Sequence, residues 1–298
     1  MTSSRHPSVR EFPIADSTAG PYGVTVGPDG AIWVTLVHAG EIVRMTRDGD
    51  VRRHQLDESA SRPCVITPGP DGALWFTRSQ DHLIGRIGTD GQLSSYPIPS
   101  PAGGPYGIVA GPDGALWFTE MNADRIGRIS TDGVVEEYPL PETGGFPSGI
   151  TVGADGALWF TLNQANAIGR IEVGGDITLH PLPTADAGPV GIAVGTDGAV
   201  WFVEIGAGQL GRITPEGKIT EIPLPDRAAR PHAITAAPDG SYWFTEWGAN
   251  RVGRLDPDGS IREYDLPTPG SEPHGITVDP DGIVWVALEI GSLARLTP

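Results

Sequence analysis

The residues best suited to chemistry lie near the C-terminal end of the chain: Glu272 and His274, on either side of a proline, and Glu289. Two carboxylates suit a hard divalent cation such as Mg²⁺, which keeps several waters and leaves positions for substrate oxygens. A neutral imidazole beside such a cation can act as a base. This combination fits removal of a proton next to a carbonyl that the cation polarises. Residue types alone leave hydrolysis equally open.

The elements that must position these side chains follow from an internal repeat. Each 42-residue unit contains four short strand-like runs separated by Asp-Gly turns, and none shows a sustained helical period of apolar residues. The sequence therefore predicts an all-β, seven-bladed β-propeller with four-stranded antiparallel blades, a single domain over residues 1–298. The repeat is marked by seven tryptophans spaced 42 residues apart: Trp33, Trp75, Trp117, Trp159, Trp201, Trp243 and Trp285.

The last repeat stops after its third strand-like run. Residues 10–14 resemble residues 262–266 and the other outer strands. The N-terminal strand is therefore expected to complete the last blade and close the ring without an exposed edge.

Seven copies of one unit serve as an internal comparison, because a position that departs from the common pattern is a candidate for function. Each first strand follows a proline, and only blade seven carries the triplet acid–Pro–His around it. Glu289 is the only carboxylate four residues after a repeat tryptophan. Arg295 also comes one place early relative to the arginines of the other repeats. The residues after the prolines vary: Tyr22, Cys64, Tyr106, Ser148, Val190, His232 and His274.

The loops of an up-and-down blade alternate between two faces, so the uniform Asp-Gly turns occupy one face and the varied positions the other. Glu272, His274 and Glu289 are expected to converge at the channel mouth, joined by His232 of blade six and Tyr22 of blade one. Trp247 is either a substrate-facing aromatic or a packing residue. Three glutamates lie one residue before the Glu289 position, on the opposite side of their strands: Glu120, Glu204 and Glu246. No functional role is assigned to Cys64, which is expected to be a small buried residue. Five histidines lack acidic partners at matching positions and are also assigned no role: His6, His38, His54, His82 and His180.

Charge and composition exclude several kinds of partner and several classes of protein. Twenty Lys and Arg against 37 Asp and Glu give a net charge of −17, which would repel nucleic acids and anionic membranes. One cysteine excludes an internal disulfide framework. No apolar run approaches the length of a membrane helix, and the opening residues lack the apolar core of a signal peptide. A soluble, cytoplasmic monomer without nucleic-acid or membrane partners is expected.

The repeat, with RPHAI in blade six, EPHGI in blade seven and the closing WVALE, resembles the streptogramin B lyases (virginiamycin B lyases) over essentially the full chain. The resemblance implies a Mg²⁺-dependent carbon–oxygen lyase. Such an enzyme linearises cyclic depsipeptide antibiotics by elimination at the ester bond and so confers antibiotic resistance. By the same resemblance, His274 is the general base, Glu272 and Glu289 are associated with Mg²⁺, and His232 and Tyr22 contact the substrate.

Two other interpretations remain open from the residues. One is a non-catalytic propeller that binds a ligand at the channel mouth. The other is a metal-dependent lactonase or esterase, which would add water to its substrate.

Overall fold

The computed structural model describes residues 7–297, so His6 lies outside the described residues. Within this range the chain forms 28 strands and one short 3₁₀-helix, η1 (Trp247–Ala249). The strands form seven separate four-stranded antiparallel sheets. The predicted all-β, seven-bladed propeller is confirmed.

The first strand of each blade lines the channel and begins at the repeat proline. These inner strands are β2 (Pro21–Val26), β6 (Pro63–Pro68), β10 (Pro105–Ala110), β14 (Pro147–Val152), β18 (Pro189–Val194), β22 (Pro231–Ala236) and β26 (Pro273–Val278). The second strands are fully buried: β3 (Ile32–Leu36), β7 (Leu74–Arg78), β11 (Leu116–Glu120), β15 (Leu158–Leu162), β19 (Val200–Glu204), β23 (Tyr242–Glu246) and β27 (Val284–Leu288).

The two remaining strands of each blade lie progressively further from the channel. The third strands are β4 (Glu41–Met45), β8 (Leu83–Ile87), β12 (Arg125–Ile129), β16 (Ala167–Ile171), β20 (Gln209–Ile213), β24 (Arg251–Leu255) and β28 (Ser292–Thr297). The outer strands are β5 (Val51–Gln55), β9 (Leu93–Pro97), β13 (Val135–Pro139), β17 (Ile177–Pro181), β21 (Ile219–Pro223), β25 (Ile261–Asp265) and, in the last blade, β1 (Ser8–Pro13).

The strand β1 closes the ring. It pairs with β28 from Ser8↔Thr297 to Pro13↔Ser292, which gives the last sheet the order β1-β28-β27-β26. Glu11 on β1 also accepts hydrogen bonds from the backbone and hydroxyl of Thr268. The predicted completion of blade seven by the N-terminal strand is confirmed.

The repeat tryptophans pack between neighbouring blades. Trp33 lies in one buried cluster with Ile66, Leu74 and Phe76 of the next blade. Its indole Nε1 donates a hydrogen bond to Oδ1 of Asp29 in the Asp-Gly turn, and Arg44 donates to the other oxygen. The same three-residue arrangement recurs in blades two to five, so these turn aspartates serve the fold.

Several residues without an assigned role are structural. The rings of His54 and His180 stack on Trp33 and Trp159. His82 accepts a hydrogen bond at Nδ1 from the backbone of Gly104. The Cys64 thiol is buried, and burial raises its pKa.

Among the described residues, no helix is both long and apolar enough to span a membrane.

Candidate active site

The residue before each inner strand has a left-handed backbone conformation. Glu272, just before β26, has a left-handed φ of 49°, a conformation that costs a non-glycine residue roughly 1 kcal/mol or more. The backbone N–H of Glu289 bonds to the carbonyls of Ser271 and Glu272, at 2.9 and 3.3 Å. These bonds bring the start of β26 and the loop after β27 to the same end of blade seven.

The loop that carries Glu289 is shorter than its counterparts. Trp285 pairs with Arg295, ten residues on, whereas Trp33 pairs with Arg44, eleven residues on. Arg295 therefore comes early because this loop is one residue shorter than in blade one. The shortened loop carries Glu289, the one acidic side chain four residues after a repeat tryptophan.

The structure brings together the three residues that depart from the repeat. The ligand atoms of Glu272, His274 and Glu289 all lie within 4.8 Å of one another. His274 Nε2 is 2.7 Å from Oε2 of Glu289. His274 Nδ1 is buried and has no hydrogen-bond partner among the described residues, so Nε2 is the ring nitrogen that faces the channel mouth.

Tyr22 and His232 complete the cluster from the adjacent blades. The Tyr22 ring lies 4.5 Å from the His274 ring and 5.7 Å from the His232 ring, centroid to centroid. The two imidazoles are themselves 4.9 Å apart. The Tyr22 hydroxyl is 3.3 Å from His232 Nε2. All five residues singled out in the sequence therefore occupy one patch formed by blades six, seven and one.

The pKa values of the residues in the patch determine their protonation states. The hydrogen bond to His274 lowers the pKa of Glu289 to about 2, against burial, which raises it; His38 and Glu272 also lower it. Burial lowers the pKa of His232 to about 3, and the neighbouring His274 adds to this shift. Burial raises the pKa of Tyr22 well above its ordinary value, and Tyr106 contributes to the rise. Near neutral pH the patch holds an ionised Glu289, a neutral His232 and a neutral Tyr22.

Two further residues belong to this patch. The interpretation of His38 as a residue without an acidic partner is wrong: its Nε2 lies 2.7 Å from Oε1 of Glu289. The partner comes from blade seven across the ring closure, and spacing within one repeat cannot show such a contact. Tyr106 was missed although it occupies the same repeat position as Tyr22; the two hydroxyls are 2.6 Å apart across the channel.

Trp247 lies at the rim. The Arg230 guanidinium sits over its indole, 5.5 Å from the ring centroid. Below the rim, beside Tyr22, Tyr106 and His232, the channel holds a cavity of about 160 Å³ lined otherwise by glycine, alanine, valine and isoleucine of the inner strands.

Glu120, Glu204 and Glu246 do not reach the mouth. Each ends a second strand and is completely buried, on the side opposite to the Glu289 position, as expected from strand alternation. Burial raises the pKa of Glu120 and of Glu246 to about 8, and that of Glu204 to about 7.

The donor set suits a divalent cation. Two carboxylates and one imidazole converge, and Glu272 is exposed, so water and substrate oxygens have access to the remaining coordination positions. Oxygen donors with open positions fit Mg²⁺ better than zinc, which favours sulfur and nitrogen ligands.

Comparison with known proteins shows the family of the chain. Residues 7–296 match the model of the virginiamycin B lyase family. The chain belongs to the virginiamycin B lyase family. The family is named for lyase activity. The resemblance to this family that the sequence shows is thereby confirmed.

Solved structures of virginiamycin B lyases share the whole architecture. The enzyme from Staphylococcus aureus is 46% identical, with a TM-score of 0.95, over 98% of this chain and 99% of the other. A catalytically inactive histidine-to-alanine variant of that enzyme, in a structure with quinupristin, is 45% identical over the same shares, with a TM-score of 0.95.

Curated relatives match over shorter segments. A virginiamycin B lyase of Saccharopolyspora erythraea is 57% identical over 50 residues, which is 17% of each chain. One of Streptomyces coelicolor is 58% identical over 43 residues, 14% of each chain. The matched segments thus span less than a fifth of these relatives.

Proposed function

We propose that this chain is a Mg²⁺-dependent carbon–oxygen lyase that linearises streptogramin B antibiotics by elimination at their ester bond and so confers resistance to them. The observation that carries the proposal is the convergence of Glu272, His274 and Glu289 within 4.8 Å at the channel mouth. Membership of the virginiamycin B lyase family supports the reaction type, and the quinupristin complex of the similar S. aureus enzyme supports the substrate class.

Glu272 and Glu289 would hold the cation. Mg²⁺ bound there supplies a Lewis acid that polarises a substrate carbonyl and raises the acidity of the adjacent Cα–H. Every other part of the reaction falls to side chains of the chain itself.

His274 is the proposed base. It takes the α-proton of the ester-bearing threonine, the C–H electron pair forms the Cα–Cβ double bond, and the Cβ–O bond breaks with departure of the ester carboxylate. The product is a linear peptide with a dehydrobutyrine residue. Nε2 is the proposed acceptor, because Nδ1 is buried away from the mouth.

Glu289 has a second task at His274. Since its carboxylate is ionised, the 2.7 Å contact requires a proton on Nε2 in the arrangement described here. A base at Nε2 needs a free lone pair, so in the reactive complex this hydrogen bond must open and the proton of the neutral ring must reside on Nδ1 instead of Nε2. Catalytic hydrogen bonds commonly rearrange on substrate binding. Once Nε2 has taken the substrate proton, Glu289 stabilises the resulting imidazolium.

His232 and Tyr22 are proposed to contact the substrate. His232 stays neutral because of its low pKa, so it offers a hydrogen bond without placing a second positive charge beside His274. The Tyr22 hydroxyl keeps its proton and can donate to a substrate carbonyl.

The product mass tests the proposal. The chain is incubated with quinupristin, with Mg²⁺ and with EDTA, and the products are separated by liquid chromatography and analysed by tandem mass spectrometry. Elimination gives a ring-opened product that has the mass of the substrate but a different retention time and the fragments of a linear peptide, and EDTA abolishes its formation. A product heavier by one water would establish the lactonase or esterase alternative instead, and unchanged quinupristin would favour the binding propeller.

We further propose that the protein acts as a monomer, because β1 completes the last sheet and every blade of the described ring has its four strands. A cytoplasmic location stays a prediction from the sequence.

A further inference from the structure

The two oxygens of Glu289 have different partners. Oε2 lies 2.7 Å from Nε2 of His274 on its own blade, and Oε1 lies 2.7 Å from Nε2 of His38 on blade one. The carboxylate is therefore held between two imidazoles from the two sides of the ring closure. We infer that His38 is a positioning residue of the lyase: it anchors Glu289, so that this carboxylate can serve the cation and release His274. The inference rests on the proposed function.

The backbone fixes His38 in this place. His38 lies in the loop between β3 and β4. Its backbone N–H donates a hydrogen bond of 3.1 Å to the carbonyl of Ala19. The ring lies against Gly20, where an added Cβ would be 2.4 Å from Cδ2 of His38. Gly20 has a φ of 68°, and the equivalent position in blade seven is Glu272. Blade one thus has a glycine where blade seven has a proposed ligand, and the absent side chain makes room for the His38 ring.

The repeat supplies an independent argument. Blade seven alone has an acid four residues after the repeat tryptophan, and blade one alone has a histidine five residues after it. These two departures from the common pattern contact one another across the seam. The other residues at the histidine position are Gln80, Asn122, Gln164, Gly206, Gly248 and Ile290.

The chemistry gives His38 a definite task. When His274 acts as a base, its hydrogen bond with Glu289 opens, and a glutamate side chain without other restraint would gain rotamer freedom. The hydrogen bond from His38 to Oε1 remains and keeps the carboxylate in place. Loss of a hydrogen bond to a ligating carboxylate typically lowers metal affinity or activity about 10- to 100-fold. The His38 side chain is 42% exposed, which places the expected effect at the lower end of this range.

The test compares the full-length chain with His38→Ala, His38→Gln and the control Gln164→Ala, an exposed residue at the same repeat position in blade four. Mg²⁺ binding is measured by isothermal titration calorimetry without substrate, and kcat and KM for quinupristin at saturating Mg²⁺. For His38→Ala we expect roughly tenfold weaker Mg²⁺ binding and a lower kcat, with KM within about twofold of the wild type. His38→Gln should recover most of both, because its amide can donate to Oε1, and Gln164→Ala should match the wild type.

Two results would overturn the inference while the proposed function stands: wild-type Mg²⁺ affinity and kcat in His38→Ala, or equal impairment of His38→Gln and His38→Ala. Melting temperatures within about 2 °C of the wild type show that the variants fold. Failure of the proposed function looks different, since the wild-type chain itself would then bind no Mg²⁺ or leave quinupristin intact, and the role of His38 would fall with it.

Discussion

His274 Nε2 and Glu289 Oε2 are 2.7 Å apart, although fifteen residues separate them in the chain. One residue lies on the inner strand β26, and the other follows β27, its hairpin partner. The contact joins an imidazole to an ionised carboxylate at the channel mouth, beside a second proposed ligand and the rings of His232 and Tyr22. Four predictions follow from the surrounding structure.

Replacement of His274 by alanine should remove the base. We expect kcat to fall roughly 100- to 10,000-fold, the usual contribution of general-base catalysis. Quinupristin turnover, followed by liquid chromatography with tandem mass spectrometry, measures this loss, and thermal unfolding shows whether the ring remains folded. His82→Ala is the control, because among the described contacts the His82 side chain has one hydrogen bond, which it accepts from the backbone of Gly104. Most of the wild-type activity in His274→Ala would contradict the assignment of the base.

Neutralising either proposed ligand should weaken cation binding. For Glu272→Gln and Glu289→Gln we expect Mg²⁺ affinity to fall about tenfold or more, since an amide oxygen lacks the charge that a hard cation favours. Calorimetric titration with Mg²⁺ measures the effect. Glu142→Gln, at an exposed residue in the connection between blades three and four, controls for the change in net charge. If Glu272→Gln and Glu289→Gln bind Mg²⁺ as tightly as Glu142→Gln does, the two glutamates are not the ligands of the cation.

The buried Glu120 should make stability depend on pH. Burial raises its folded-state pKa to about 8, and the neighbouring Glu137 carboxylate adds to this shift. The folded chain therefore binds a proton that the unfolded chain releases above its ordinary pKa. The stabilising effect is complete below about pH 4.5 and is lost as the pH rises toward 8, by at most about 1.4 kcal/mol per pH unit.

Glu120→Gln should relieve this loss. Relative to the wild type, we expect the variant to gain unfolding free energy as the pH rises from 5 to 8, as measured by urea denaturation at several pH values. Blade four shows that an uncharged side chain fits this position, because Leu162 is its buried equivalent. A difference between variant and wild type that does not change with pH would show that Glu120 is ionised throughout.

Deletion of the chain through Pro13 should open the ring. The deletion removes β1, leaves the edge of β28 unpaired, and takes away the hydrogen bonds of Glu11 to Thr268. An exposed strand edge promotes aggregation. We expect a melting temperature lower by about 10 °C or more, or insoluble protein, in thermal unfolding and size-exclusion chromatography. An unchanged melting temperature would mean that blade seven is stable with three strands.

Much of the site was accessible from the sequence because the repeat fixes geometry. A residue at a given position of the 42-residue unit occupies the same place in every blade, so Glu272, His274 and Glu289 could be assigned to one end of blade seven. His232 and Tyr22 followed from the order of the blades around the ring. The same regularity predicted that Glu120 lies on the side of its strand opposite to the Glu289 position.

The contacts of His38 and Tyr106 could not be predicted from the repeat. His38 contacts a carboxylate from the other end of the chain, and Tyr106 meets Tyr22 across the channel. The Tyr106 contact depends on the diameter of the channel, and the His38 contact depends on the reach of two side chains between adjacent blades. Neither quantity is encoded in the spacing within one repeat.

The sequence by itself determined the sevenfold ring, its closure by the N-terminal strand and the blade that differs from the rest, because periodic strands and turns are local and repeat along the chain. Only the tertiary structure decided which oxygen of Glu289 meets which imidazole, and which nitrogen of His274 faces the mouth. Those outcomes depend on distances of a few ångströms between residues that are far apart in sequence, and they exist only once the ring has closed.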